Sequence, residues 1–111
     1  MKVIVTQLDT PPPFLAAVVT GIAAQAGGQA GATPLTGRRN IVTLGSAGMA
    51  VKLEIILGNE QKVFNALAVA LEIYPTEGTQ ILGYGLNVPQ QLAPGGVAVF
   101  TFDGIDTWFV G

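Results

Sequence analysis

Short apolar runs, alternating with polar residues and cut by glycine, proline and asparagine, recur along the whole chain. The clearest is Val97-Ala98-Val99-Phe100-Thr101-Phe102, where Val97, Val99 and Thr101 alternate with Ala98, Phe100 and Phe102. Period-two alternation over six residues predicts a strand with one face in a core. Asp103-Gly104 is a favoured turn pair, and Thr107-Trp108-Phe109-Val110 is expected to return antiparallel as a hairpin. Upstream, Leu71, Ile73 and Ile81 are expected to point inward, Gly83-Tyr84-Gly85-Leu86-Asn87 makes a glycine-rich crossing, and Pro94-Gly95-Gly96 turns the chain.

The earlier chain reads the same way. Lys2-Val3-Ile4-Val5-Thr6-Gln7-Leu8 is a run of β-formers, and Pro11-Pro12-Pro13 stiffens the backbone into an extended spacer. A strand held off on such a spacer suits pairing with a neighbouring subunit or folding back on its own sheet. In residues 14–26 the alanines favour helix, but Val18-Val19-Thr20 and Gly21 favour strand, and strand is expected. Residues 27–31 read as a flexible turn. Strands are expected at 40–44 and 50–57, the latter with Lys52 and Glu54 opposite Val51 and Leu53. Gly58-Asn59-Glu60 then closes a hairpin-like turn. Residues 63–71 suit one helical run or two β-segments; the strand-like Ile73-Tyr74-Pro75 ending makes a mostly extended path over residues 62–74 the expectation. About eight short strands without a convincing helix predict an all-β fold, an antiparallel β-sandwich or jelly roll with an extended N-terminal arm. Residues 1–13 form the arm and 14–111 a single β-sandwich domain.

Composition adds a constraint on the surface. Half of the 111 residues are hydrophobic and 11% are charged, against about 25% charged in ordinary soluble domains. Part of the exterior is therefore expected to pack on copies of the chain or on a larger partner. Five basic residues and a net charge of −2 argue against a nucleic-acid surface, which needs clustered Lys and Arg. Arg38-Arg39 reads as a solvated turn before a strand. Residues 14–26 are too short to span a bilayer as a helix, which takes roughly 20 apolar residues. Ala24-Gln25-Ala26 is like a signal-peptidase site, but Asp9 and Pro11-Pro12-Pro13 stand where a leader is basic and then apolar. The chain is expected to be uncleaved, soluble and without a membrane partner.

Candidate chemistry is sparse. The sequence has no histidine or cysteine, which excludes Ser-His-Asp and Cys-His catalysis and His/Cys zinc sites. Ser46, the single serine, lies in a Gly-Ser-Ala-Gly turn. Asp103 and Asp106 offer oxygens to a cation, but a calcium site wants six to eight oxygen ligands and no dense carboxylate loop is present. Glu72 and Glu77 bracket a turn as a glycosidase pair would, yet alternation puts Glu72 on an outer strand face. Tyr74, Tyr84 and Trp108 are candidates for a sugar-stacking platform, with Asn87 and Gln90 as amide partners, though core or interface is the commoner fate of such aromatics. No catalytic residue, cofactor or metal site is expected.

Thr36-Gly37-Arg38-Arg39-Asn40-Ile41-Val42-Thr43-Leu44, Leu71-Glu72-Ile73-Tyr74-Pro75-Thr76-Glu77-Gly78, Leu92-Ala93-Pro94-Gly95-Gly96 and Asp103-Gly104-Ile105-Asp106-Thr107-Trp108-Phe109-Val110 together resemble small virion structural proteins of tailed bacteriophages. The resemblance covers residues 19–111 and rests on turn and core signatures. It implies a non-enzymatic β-sandwich of the capsid decoration (cement) class, assembled in the host cytoplasm and carried on the capsid exterior. The implied partner is the major capsid protein lattice, met by a homo-oligomer, with a trimer favoured. A tail or baseplate accessory domain and a host-surface glycan-binding module are the alternatives. The expected contact surface is the arm, with Val3, Ile4, Val5, Leu8, Pro11, Pro12, Pro13 and Phe14 as interface residues and the glycine-rich loop near Gly27 as a second candidate.

Overall fold

The computed structural model describes residues 18–111. The expected interface residues Val3, Ile4, Val5, Leu8, Pro11, Pro12, Pro13 and Phe14 lie outside the described residues. The fold is all-β, in two sheets. In chain order the elements are β1 (Val18–Ala23), α1 (Gly28–Gly31), β2 (Thr33–Pro34), β3 (Arg39–Leu44), β4 (Ala50–Lys52), β5 (Glu60–Asn65), β6 (Leu71–Tyr74), β7 (Gln80–Ile81), β8 (Gly85–Leu86), β9 (Gln90–Leu92), β10 (Val97–Phe102) and β11 (Thr107–Val110). Sheet A has seven strands in the order β1-β3-β5-β10-β11-β7-β8, and sheet B has four in the order β2-β4-β6-β9.

From β1 to β6 the chain alternates between the sheets, so each strand lies beside the one two before it. β1, β3 and β5 start at residues 18, 39 and 60 and pair parallel in sheet A; β2, β4 and β6 pair parallel in sheet B. Antiparallel pairing joins β10 to β5 and β11, β9 to β6, and β8 to β7. The expected purely antiparallel arrangement is thus corrected to a mixed one. The physical reason lies at the corners: a chain that changes sheet after each strand re-enters the first sheet in its original direction.

Gly58-Asn59 shows how turn chemistry misleads here. Both residues have positive φ, and the Asn59 N–H bonds the Ile56 carbonyl at 2.9 Å. The turn is real, but β4 belongs to sheet B and β5 to sheet A, so it makes a crossing and no hairpin. The expected strand over residues 50–57 stops at Lys52 for the same reason. Residues 62–74 divide into the end of β5 and β6, in different sheets. Val18–Ala23 is strand, as expected from its β-branched residues. Within the expected flexible turn at 27–31, Gly28–Gly31 forms one short helical turn. The β10–β11 hairpin forms as expected, with Phe102 opposite Trp108 and residues 103–106 as its loop.

One cluster of buried side chains fills the space between the sheets. Ile22, Val42, Val63, Ile81, Phe100, Phe102 and Trp108 come from sheet A, and Val51, Leu71, Ile73 and Leu92 from sheet B. Leu71, Ile73 and Ile81 are inward, as expected. The Phe102 and Trp108 rings pack at 5.0 Å between centroids, and the Trp108 indole N–H donates to Thr79 Oγ1 at 3.1 Å.

The corners carry buried backbone groups that no sheet ladder serves, and three buried amide side chains serve them. Gln61 Nε2 donates to the carbonyls of Leu35 and Gly37, while its Oε1 accepts from the Glu54 N–H. Asn40 exchanges hydrogen bonds with the Gly37 backbone in both directions. Asn65 Nδ2 donates to the carbonyls of Val69, Leu92 and Ala93, and its Oδ1 accepts from the Leu67 N–H. Gly37 leaves room for this clasp, since a Cβ there would stand 3.1 Å from Asn40 Oδ1 and 2.8 Å from Val19.

Candidate functional site

The two sheets turn unlike faces outward. On sheet B, Glu72 and Tyr74 alternate with buried Leu71 and Ile73, and register sets Glu72 beside Gln91 and Tyr74 beside Lys52. Lys52 reaches Glu77 at 2.8 Å. That ion pair holds the Glu77 carboxyl below its ordinary pKa. This outer face is polar, as alternation predicts for a sheet with one solvated side.

Sheet A differs. Its strands β3, β5 and β10 alternate buried residues with Arg39 and Ile41, with Glu60, Lys62 and Phe64, and with Val97, Val99 and Thr101. Register aligns these into rows across the sheet. Val97, Phe64 and Ile41 form one row; Val99, Lys62, Arg39 and Val18 form the next. Phe109 stands beside Thr101 on β11, and the exposed Leu82 and Leu86 extend the apolar surface toward the far edge. Val97 is 51% exposed and Leu86 62%. Apolar side chains set in register on an outer face mark an interaction surface more than scattered exposed residues do.

A depression of about 350 Å³ opens on this side, lined by Arg38, Arg39, Glu60 and Lys62. Arg38 and Arg39 are exposed as a solvated turn would have them, but Arg39 opens β3 and lies directly beside Lys62 of β5. The Lys62 ammonium also sits 5.7 Å from the Phe64 ring centroid, a cation–π arrangement.

Several of the other candidate residues take structural roles. Trp108 is fully buried, so it belongs to the core and to no sugar platform. Asn87 Oδ1 accepts from Gln29 Nε2 and the Gly78 N–H. Gln29 also bonds the Pro75 carbonyl at 2.8 Å, which ties the glycine-rich loop near Gly27 to the turn after β6. Gln90 Oε1 is buried without a partner among the described residues. Tyr84 remains exposed on the β7–β8 turn, and Tyr74 is half-buried. Ser46 closes its turn through its carbonyl, which accepts from the Met49 N–H. Asp103 Oδ1 accepts from the N–H groups of Ile105, Asp106 and Thr107. These bonds, Ile105's foremost, hold its carboxyl below the ordinary aspartate pKa. Among the described residues no cluster of three metal-ligating side chains occurs, and no helix is long and apolar enough to cross a membrane.

Sequence reasoning found neither the face of sheet A nor the three buried amides. The face emerges only when strands distant in sequence are set in register. The amides carry a faint signal: polar residues break otherwise apolar strand positions at Asn40, Gln61 and Asn65. No protein-family model matches the chain, and no curated protein or solved structure is significantly similar to it.

Proposed function

We propose that this chain is a non-enzymatic assembly protein, a small β-sandwich that decorates a phage capsid lattice and stabilises it through the outer face of sheet A. What supports this reading is the contrast between the two outer faces: sheet B is polar, and sheet A sets the apolar row Val97, Phe64 and Ile41 in register beside a charged row. The low charge of the chain fits the same role, since contacts through the Val97, Phe64 and Ile41 row form without desolvating ions. A protein that binds the assembled lattice better than dispersed subunits stabilises assembly by mass action. The arm at residues 1–13 is the second proposed contact, and a trimer is the proposed oligomer.

The test is cosedimentation with assembled capsids and with dispersed capsid subunits. The full chain is expected to pellet with capsids alone, and Val97→Lys with Phe109→Lys to lower the bound fraction about tenfold, a loss of about 1.4 kcal/mol. Equal affinity for dispersed subunits would sink the reading. A tail or baseplate role uses the same face, and pelleting with tails and not capsids selects it.

A further inference from the structure

The three cations around the depression on sheet A are placed at a cost. Arg39 and Lys62 are register partners on adjacent parallel strands, and like charges side by side on a sheet face are destabilising. Four of the five Lys and Arg residues fall among the described residues, and three of those four line this depression. Among the described residues the ion pair formed is Lys52 with Glu77, and no carboxylate of those residues lies within salt-bridge distance of Arg38, Arg39 or Lys62. Glu60 shares the depression and leaves a local charge of +2 on a chain whose total is −2. Glu60 and the Phe64 ring offset this only in part among the described residues, and a local rule broken in this way points to a function.

The surroundings define the ligand. The Val97, Phe64 and Ile41 row runs beside the cations, so an occupant meets a charged pair and an apolar strip two residues apart along the strands. Arginine's planar fork matches a carboxylate in two parallel hydrogen bonds, and partial exclusion of water by the apolar strip strengthens such bonds. A nucleic acid would need many more cations than three. We propose that Arg38, Arg39 and Lys62 form a carboxylate-receiving socket that docks an extended protein segment in which acidic and apolar side chains alternate. The inference deepens the lattice-binding reading and rests on it for the source of that segment, a capsid subunit.

The chain has two arginines, so its Arg Nε–H resonances report directly on the socket. The probe is a blocked pentapeptide of alternating valine and glutamate, titrated into the full chain and followed by ¹H–¹⁵N correlation spectra. Saturable shifts of both arginine resonances are expected, with none from the same peptide carrying glutamine for glutamate. Arg39→Gln with Lys62→Gln is expected to weaken binding at least tenfold while core methyl resonances stay in place, and Arg39→Lys to weaken it less. Absence of saturation with the glutamate peptide overturns the socket. Equal saturation by inorganic phosphate overturns it too, by assigning the site to free anions. Capsid cosedimentation with silent arginine resonances removes the socket alone; peptide saturation without cosedimentation removes the lattice reading alone.

Discussion

Asn65 shows what a single buried side chain does in this fold. β5 ends at this residue, and the chain then leaves sheet A for the corner leading to β6. One amide there meets three carbonyls and one N–H, those of Leu67, Val69 and Ala93 in the loops and of Leu92 at the end of β9. Replacing Asn65 by leucine keeps the branched shape and strands those groups in the interior. An unsatisfied buried group costs about 1–3 kcal/mol, so the variant should lose about 3 kcal/mol. The midpoint of urea denaturation measures this, and a loss near zero would mean that water enters the corner and replaces the amide. Gln61 and Asn40 act in the same way at the corners formed by Leu35, Gly37 and Glu54.

At the scale of the element, the β10–β11 hairpin is closed by a charge. Asp103 Oδ1 gathers three N–H groups of its own loop, at 2.7 to 3.1 Å. These bonds favour the ionised carboxylate, so its pKa in the folded chain lies below the ordinary 3.8. The stability this contributes is present above that ordinary value and is lost as pH falls through the folded pKa. Glu77, lowered by Lys52, has the same sign. Glu54 has the opposite sign, because burial raises its pKa and its ionisation weighs against the folded state as pH rises. Stability measured by urea midpoint is therefore expected to drop in the acid range below Asp103's ordinary pKa. Asp103→Asn, whose amide oxygen still accepts but does not titrate, should show a shallower drop. An identical acid profile in the variant would show that the loop's bonds do not depend on the charge.

For the whole molecule, the question is what covers sheet A. Its outer face combines exposed Val97, Leu82, Leu86 and Phe109 with a cationic depression, while sheet B presents polar residues. If copies of the chain assemble as proposed, light scattering coupled to size exclusion should give three chain masses, independent of concentration. A persistent monomer would remove the trimer. Cyclic trimers need a heterologous contact between two different patches, so the proposed trimer joins through surfaces other than the sheet A face assigned to the lattice.

The material of this fold is legible in the residues alone. Alternation at residues 97–102 marks the inward set Ala98, Phe100 and Phe102; the apolar positions Leu71, Ile73 and Ile81 read as core; glycine and asparagine mark real turns, as at Gly58-Asn59. The exclusion of imidazole and thiol chemistry also needs nothing beyond composition. Direction and partnership, by contrast, are properties of the folded chain. A turn signal states that the chain bends, and it carries no information on whether the next strand rejoins the same sheet or crosses to the other. Parallel neighbours such as β3 and β5 are joined through a strand of the opposite sheet, so their pairing depends on contacts distant in sequence. The juxtaposition of Arg39 with Lys62 and the row from Val97 to Ile41 arise from that pairing. Residues as far apart in the chain as Ile41 and Val97 come to share one face, and no local pattern encodes their register.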